Sequence, residues 1–434
     1  MSVSSDLRRT PLHDWHLGHH ATMAAFGGYH MPLWYETGVK HEHCSVITAA
    51  GIFDTSHMAV LTVAGKGSFL LLQHCFSRDL DRCIGRQPGP LATGRSVYGL
   101  FLLEDGTVLD DAIVSQCGPE RYMIVVNSGM GAKVSAHLRE QAGPGVAVID
   151  HTDQIGKIDL QGPSSVPVLA SLLRNPEDIL QDMVYFSFKG ALFPAASASV
   201  YLQDGTPVIV SRTGYTGEFG FELYVSGSDT LSLWQQLLAA GRAYHISACG
   251  LASRDSLRTG AMLPLSHQDI GNWLFAATPW SFVLPWHEKE RGFSKSFIGA
   301  EAVLSGRKSS YTYGFAGYDP RKIPVEDDTV VLSDTGEEIG RVLTCTTDMA
   351  IGRIGERIIS LATPEADGRP VDFQARGLSC GFLKVDKPCR RGEKVQLSAG
   401  KRTITVEIRD DIRPDRTARR SIEQVRKQTE EGRT

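Results

Sequence analysis

Residues 97–114 read VYGLFLLEDGTVLDDAIV, two short apolar runs separated by Asp105-Gly106. Asp-Gly adopts the positive backbone angles of a tight turn at little cost, so the segment predicts an antiparallel hairpin. Its second arm carries Asp110 and Asp111 in an otherwise apolar strand. Neighbouring strand residues point to opposite faces, so one carboxylate must enter whatever the inner face covers. An ionised carboxylate buried without partners is very costly, which makes it either paired or functional. The residues alone leave both readings open.

Working outward, residues 59–71 (AVLTVAGKGSFLL) predict a strand and the start of a helix, 121–127 (RYMIVVN) a further strand, and 131–141 a helix. A second strand-rich stretch spans 156–225 and precedes a helix pattern at 229–241. Strands and helices alternate without the regular spacing of a doubly wound parallel sheet, so the fold class is α+β. From about residue 310, short strands separated by Gly, Asp or Pro (YTYGFAGY, TVVLSD, CGFLKVD, TITVEIR) predict a small antiparallel barrel. The end, DRTARRSIEQVRKQTEEGRT (415–434), is highly charged with few apolar anchors and predicts a solvated helix or frayed end.

At 434 residues the chain exceeds one ordinary core, and two or three domains are expected. Its 42% hydrophobic and 22% charged residues are those of a globular protein, and a net charge of -4 gives no global field favouring nucleic acid or an anionic membrane. No apolar run reaches the roughly 18 residues of a membrane span, and MSVSSDLRRTPLHDWH lacks a signal-peptide core. A cytoplasmic protein is the expectation. The eight cysteines form no C-x-x-C pair. His19-His20 and His41-x-His43 lack a set of further ligands, so they read as surface histidines and no metal is expected.

Three further segments carry chemistry. SRTGYTGEFGFELYV (211–225) spaces three glycines ahead of Glu222, itself set between Phe221 and Leu223. SRDSLR (253–258) places Arg254 and Arg258 on one helix face beside Asp255, which unaided reads as a salt-bridged helix. FDTSHM (53–58) contains His57, a structural hydrogen-bonder by residue type.

In order along the chain, TPLHDWH (10–16), MAAFGGYHMPLWY (23–35), GIFDTSHM (51–58), the 97–114 hairpin, VVNS (125–128), LQGP (160–163), GYTGEFGFEL (214–223), GLASRDSLR (250–258) and FIGAEAV (297–303) resemble the aminomethyltransferase (glycine cleavage T-protein) family. The resemblance implies a three-domain cloverleaf with a C-terminal antiparallel β-barrel and tetrahydrofolate in the central opening. Residues 1–55 with 145–285 would form a discontinuous first α+β domain, and 56–144 a second, ferredoxin-like one. The barrel would occupy 286–410 and a charged tail 411–434. Asp111 falls on the family's reacting carboxylate. Glu222, Arg254, Tyr98, Met58 and Asn127 fall on positions that hold the folate. The implied activity transfers the methylene carbon of an aminomethyl group, carried on the lipoyl arm of a small H-protein, to tetrahydrofolate with release of ammonia. The chain departs from the family at 258–270, RTGAMLPLSHQDI: Gly260 stands for a Glu, and Ser266-His267 for Tyr-Gly. Ile47 stands for an Arg. Segment 259–286 also gains Trp273, Trp280 and Trp286. These changes admit an alternative, a tetrahydrofolate-dependent methyltransferase acting on a small N-, S- or O-methylated compound.

Overall fold

The computed structural model describes residues 7–85, 88–191, 200–289, 291–306, 310–326 and 328–431. The start of the segment read for a signal peptide (1–6) and the end of the expected tail (432–434) lie outside the described residues. Among the described residues no helix is long and apolar enough to cross a membrane.

The Asp-Gly hairpin forms as its sequence requires. Ser96–Leu102 pairs with Val108–Gly118, Gly106 sits at φ +77°, and the Asp105 carboxylate accepts hydrogen bonds from the Thr107 N–H and hydroxyl. The hairpin opens a five-stranded antiparallel sheet, continued by Arg121–Val126, Ala59–Ala64 and Ala147–Asp150. Ala147–Asp150, assigned on sequence to the first domain, therefore belongs to this second sheet, and the chain crosses over after it. One face of the sheet buries Leu61, Ala112, Val114 and Ile124 against the helices Ser68–Cys75 and Gly131–Gln141.

A six-stranded sheet runs in the order Phe188–Lys189, Ile209–Ser211, Gly220–Ser226, Ile155–Gln161, Gly51–Asp54, Ser247–Cys249. Ile158, Leu160, Phe221 and Leu223 alternate onto its outer face and meet Leu169 and Trp234 of the helices Ser165–Leu172 and Thr230–Gly241. The stretch expected to be strand-rich thus also holds the helices Ser165–Leu172 and Pro176–Leu180. Proline at the first helical position, with Glu177 and Asp178 after it, starts the second of these. The inner faces of the two sheets meet through Val60, Met123 and Val125 on one side and Phe188, Ile209 and Tyr224 on the other.

Tyr311–Gly317, Leu378–Val385, Glu338–Asp348, Val330–Leu332, Lys394–Ala399 and Arg402–Arg409 close the expected barrel. It is joined to the hairpin by an apolar cluster of Leu100, Leu102, Phe275, Trp280 and Phe382. The segment read as a solvated tail is not one. Ile422 and Val425 of the helix Ile422–Glu431 insert into the core of the six-stranded sheet. Arg413, fully buried, ion-pairs with Asp348 of the barrel (2.6 Å) and Glu218 (3.3 Å). Two apolar residues three apart are enough to seat a short helix when buried ion pairs position the chain before it.

His43 corrects the surface-histidine reading. It is buried, with Nδ1 2.7 Å from Ser256 Oγ and Nε2 3.0 Å from Asp348 Oδ1. The same network explains Gly260. A Cβ there would lie 1.8 Å from Asp348 Oδ2, so the barrel brings a carboxylate to the place where a side chain would start. Gly260→Glu should destabilise the protein by about 3 kcal/mol, through overpacking and displacement of a buried ion pair. In an Asp348→Ala background the same change should cost clearly less, as measured by urea denaturation of the double-mutant cycle. Purely additive losses would mean that the two carboxylates do not compete for one site.

Candidate functional site

A cavity of about 660 Å³ lies where the two sheets, the helix Leu251–Gly260 and the barrel meet. Asp111, Glu222, Arg254, Tyr98, Met58 and Asn127, singled out on sequence, all line it.

The hairpin supplies one wall. Strand alternation sends Asp111 to the cavity with Ile113, and sends Asp110 to the opposite face with Ala112 and Val114. Pairing puts Tyr98 opposite Ile113, so its hydroxyl reaches diagonally and donates to Asp111 Oδ2 at 2.7 Å. Asn127, one residue beyond its strand, ties the two carboxylates together. Its backbone N–H donates to Asp110 Oδ2 (2.9 Å), and its side-chain amide donates to Asp110 Oδ1 (2.8 Å) and to Asp111 Oδ1. Burial, and then the neighbouring Asp110 charge, push the Asp111 carboxyl from the ordinary 3.8 up to about 7, against the opposing pull of Tyr98, Asn127 and His267. Burial raises Asp110 as well. The two residues therefore titrate as a unit, although they point to opposite faces.

The six-stranded sheet supplies the facing wall. Glu222 lies opposite Asp159, with Tyr224 opposite Lys157, so all four side chains share the inner face. Lys157, 2% exposed, donates to Glu222 Oε1 at 2.7 Å and to Asp159 Oδ1 at 2.5 Å. Glu222 Oε2 accepts from Thr213 Oγ1 at 2.5 Å and from the Tyr224 hydroxyl at 3.2 Å. Arg254 reaches across from its helix to Asp159 Oδ2 at 2.6 Å and stacks over Tyr215, 5.0 Å from the ring centre. Burial alone would raise Asp159, but the charges of Lys157 and Arg254 hold it down at about 2. Arg258 parts company with Arg254: it turns to Asp255 and Asp269, away from the sheet.

The link from the six-stranded sheet to the five-stranded one, 55–58, carries His57 and Met58 into the cavity lining. His57 is 2% exposed, and burial lowers it to about 4, so it is neutral. Its Nδ1 has no hydrogen-bond partner among the described residues. Lys157, Asp159 and Tyr215 escaped the sequence reading. A signal existed in IGKIDLQ (155–161), where charged residues alternate with apolar ones inside a strand, the same pattern that exposed Glu222.

Known proteins resemble this chain in sequence and fold. The family described as GCVT N-terminal domain matches residues 12–279. An aminomethyltransferase of Frankia alni is 36% identical over 380 residues, 86% of this chain and 95% of that protein. One from Geobacillus kaustophilus is 35% identical over 379 residues, with 86% and 95% covered. The crystal structure of glycine cleavage system aminomethyltransferase T from Bartonella henselae aligns at a TM-score of 0.73 and 26% identity, over 96% of this chain and 99% of that one.

The raised Asp111 carboxyl makes stability depend on pH. Its folded pKa, about 7, exceeds the ordinary 3.8. Stability tied to that proton is therefore complete below the ordinary carboxylate range and is lost as pH rises through 7. Asp111→Asn, which cannot ionise, should match the parent at pH 4 and exceed it by about 2 kcal/mol at pH 8. Thermal melts at the two pH values check this. Equal melting at pH 8 would mean that the charge is accommodated without cost.

Proposed function

Because this chain belongs to the aminomethyltransferase family, we propose that its central cavity is where the methylene carbon of a lipoyl-bound aminomethyl group passes to tetrahydrofolate, with release of ammonia. One observation carries the reading. A carboxyl poised near neutrality on one wall, Asp111, faces the same cavity as an anchored carboxylate and guanidinium, Glu222 and Arg254, on the other.

The lining suits a folate. About 660 Å³ is within the usual range for a small-molecule site. Met58, Ile113, Val125 and Leu251 offer apolar contact for flat rings, and the unpaired buried Nδ1 of His57 leaves a polar atom for a ligand to satisfy. Glu222 has about four lone-pair sites. Lys157, Thr213 and Tyr224 occupy three of them, so one remains free on Oε1. A bidentate grip on adjacent N–H donors requires the Tyr224 contact, the longest of the three, to yield. Arg254 uses one of its donors on Asp159 and keeps the others on the cavity side.

Tetrahydrofolate supplies the nucleophilic nitrogen. Asp111 supplies proton management and charge. With a pKa near neutrality it can take a proton at working pH, and its anionic form stabilises the cationic, iminium-like centre that develops as ammonia leaves. Tyr98 and Asn127 each hold one of its oxygens and fix the carboxyl plane. The donor is the aminomethyl group on the lipoyl arm of a carrier protein.

Asp111→Asn should slow turnover a hundredfold or more, roughly 3 kcal/mol in the transition state, while the folate dissociation constant changes only a few-fold. Glu222→Gln should instead weaken folate binding by roughly 2 kcal/mol in calorimetric titration. With loaded carrier protein the enzyme should release ammonia in step with methylenetetrahydrofolate. Methyltetrahydrofolate formed from a small methylated compound, with no ammonia from the carrier, would overturn the donor assignment.

A further inference from the structure

Phe282 stands in the rewritten segment, and none of the roles above uses it. It lines the cavity and is nevertheless 59% exposed, so the cavity opens to solvent at its ring. A large apolar ring left in water at the entrance of a site is surface for a ligand to cover. Its backbone is not free to withdraw it. Phe282 lies in the single helical turn Ser281–Val283, and two residues just beyond the helix Ser68–Cys75 hold that turn. Arg78 donates to the Phe282 carbonyl, and Ser77 Oγ donates to the Val283 carbonyl at 3.1 Å. Val283 itself is fully buried, so the turn is anchored on one side of the ring while the ring stays out.

An apolar strip leads inward from this lip. The Phe282 ring meets the Tyr98 ring at a centroid distance of 6.4 Å, and Tyr98 and Met262 pack into the cluster that holds Trp280. Leu263 and Leu265 continue the lining. The side-chain donors of this wall are already engaged. Trp280 Nε1 donates to the Met262 carbonyl at 2.9 Å, and the Tyr215 hydroxyl donates to the Pro264 carbonyl. Gln268 Nε2 donates to the Leu343 carbonyl at 3.1 Å and to Thr344 Oγ1 at 2.7 Å. The Tyr98 hydroxyl is spent on Asp111, which stands at the inner end of the strip. A ligand lying here therefore finds apolar contact along its length and a carboxyl at its end.

We propose that Phe282 is a specificity-determining residue for the donor: the strip from Phe282 to Tyr98 holds the alkyl chain of the lipoyl arm and directs its terminal aminomethyl group to Asp111. The inference rests on the proposed transfer from a lipoyl-bound donor. The two chemistries match at both ends. The arm is a hydrocarbon chain that ends, beyond its sulfur, in a basic amine; the strip is apolar and ends on a carboxyl. Covering the Phe282 ring removes its apolar surface from water, so the lip contributes to binding only when a chain long enough to reach the entrance is present. A small methylated compound seated at Asp111 would leave the ring uncovered.

The test separates the arm from its carrier. The Phe282 ring is mostly outside the core, so Phe282→Ala should melt within about 2 °C of the parent, which removes misfolding as an explanation. Free dihydrolipoamide has the arm and no protein around it. Titrated into the folate-free protein, it should bind Phe282→Ala roughly tenfold more weakly than the parent, the size of one partly covered aromatic contact. Phe282→Leu, which keeps an apolar lip, should retain most of the affinity. The KM for loaded carrier protein should rise in Phe282→Ala by a similar factor, with kcat within about twofold and the folate dissociation constant unchanged. No binding of dihydrolipoamide to the parent, or equal binding to the parent and Phe282→Ala, overturns the proposal. So does a loss confined to the carrier-borne donor, which would mean that the ring meets the carrier's surface rather than the arm. Absence of ammonia release from loaded carrier by the parent would instead sink the donor reading itself, and the proposal with it.

Discussion

The Lys157 ammonium, buried at the centre of the inner sheet face, is the interaction on which the cavity depends. Alone it would be expelled or neutralised; here Asp159 and Glu222 contact it directly, and Arg254 completes the set through Asp159. The two cations and two carboxylates balance, which lets a sheet turn a charged face inward. Each position then determines another. Lys157 orients Glu222, Asp159 tethers Arg254, and Arg254 fixes the helix Leu251–Gly260 against the sheet. Breaking one member would leave a buried charge unpaired, at a cost larger than the net worth of the intact set.

A second balanced set ties the barrel to this framework. Arg413 lies between Asp348 and Glu218, donates to the Thr216 carbonyl, and its own N–H meets the Gly260 carbonyl. His43 extends the set to the helix Gly38–Thr48. Parts of the chain far apart in sequence thus share one buried carboxylate, Asp348. The departure at Gly260 is one end of this contact, and Asp348 is the other. A residue without a Cβ stands where a carboxylate arrives from elsewhere.

How much of the molecule was legible in its sequence depends on the range of the interactions. The Asp105-Gly106 turn, the α+β class and the barrel rest on neighbours in sequence or on period-two alternation, and they read directly. Asp111, Glu222, Arg254, Tyr98, Met58 and Asn127 were reached through collinear motifs, and the fold draws all six to one cavity. Buried status was harder to read. His43 and Arg413 look like surface residues by type, and only partners some 300 and 65 positions away, respectively, make their burial tolerable. The strand Ala147–Asp150 reads as part of the next domain, because nothing local says which sheet edge it will join.

The tryptophan-rich segment shows the same limit from the donor side. Trp280, 3% exposed, donates its indole N–H to the Met262 carbonyl and packs edge-on against Phe382 of the barrel. Arg341 and Lys384, paired across neighbouring barrel strands, lie 5.3 and 5.5 Å from the Trp273 ring. Both satisfy what an indole needs when it is enclosed, an apolar bed and a partner for its edge or face. They act as anchors between the hairpin and the barrel. Trp286 differs: at 56% exposed it only meets Phe293. The rewritten stretch therefore divides. Its first rings pack between the hairpin and the barrel. In its buried part, then, the rewritten stretch serves the contact between the barrel and the hairpin that carries Asp111.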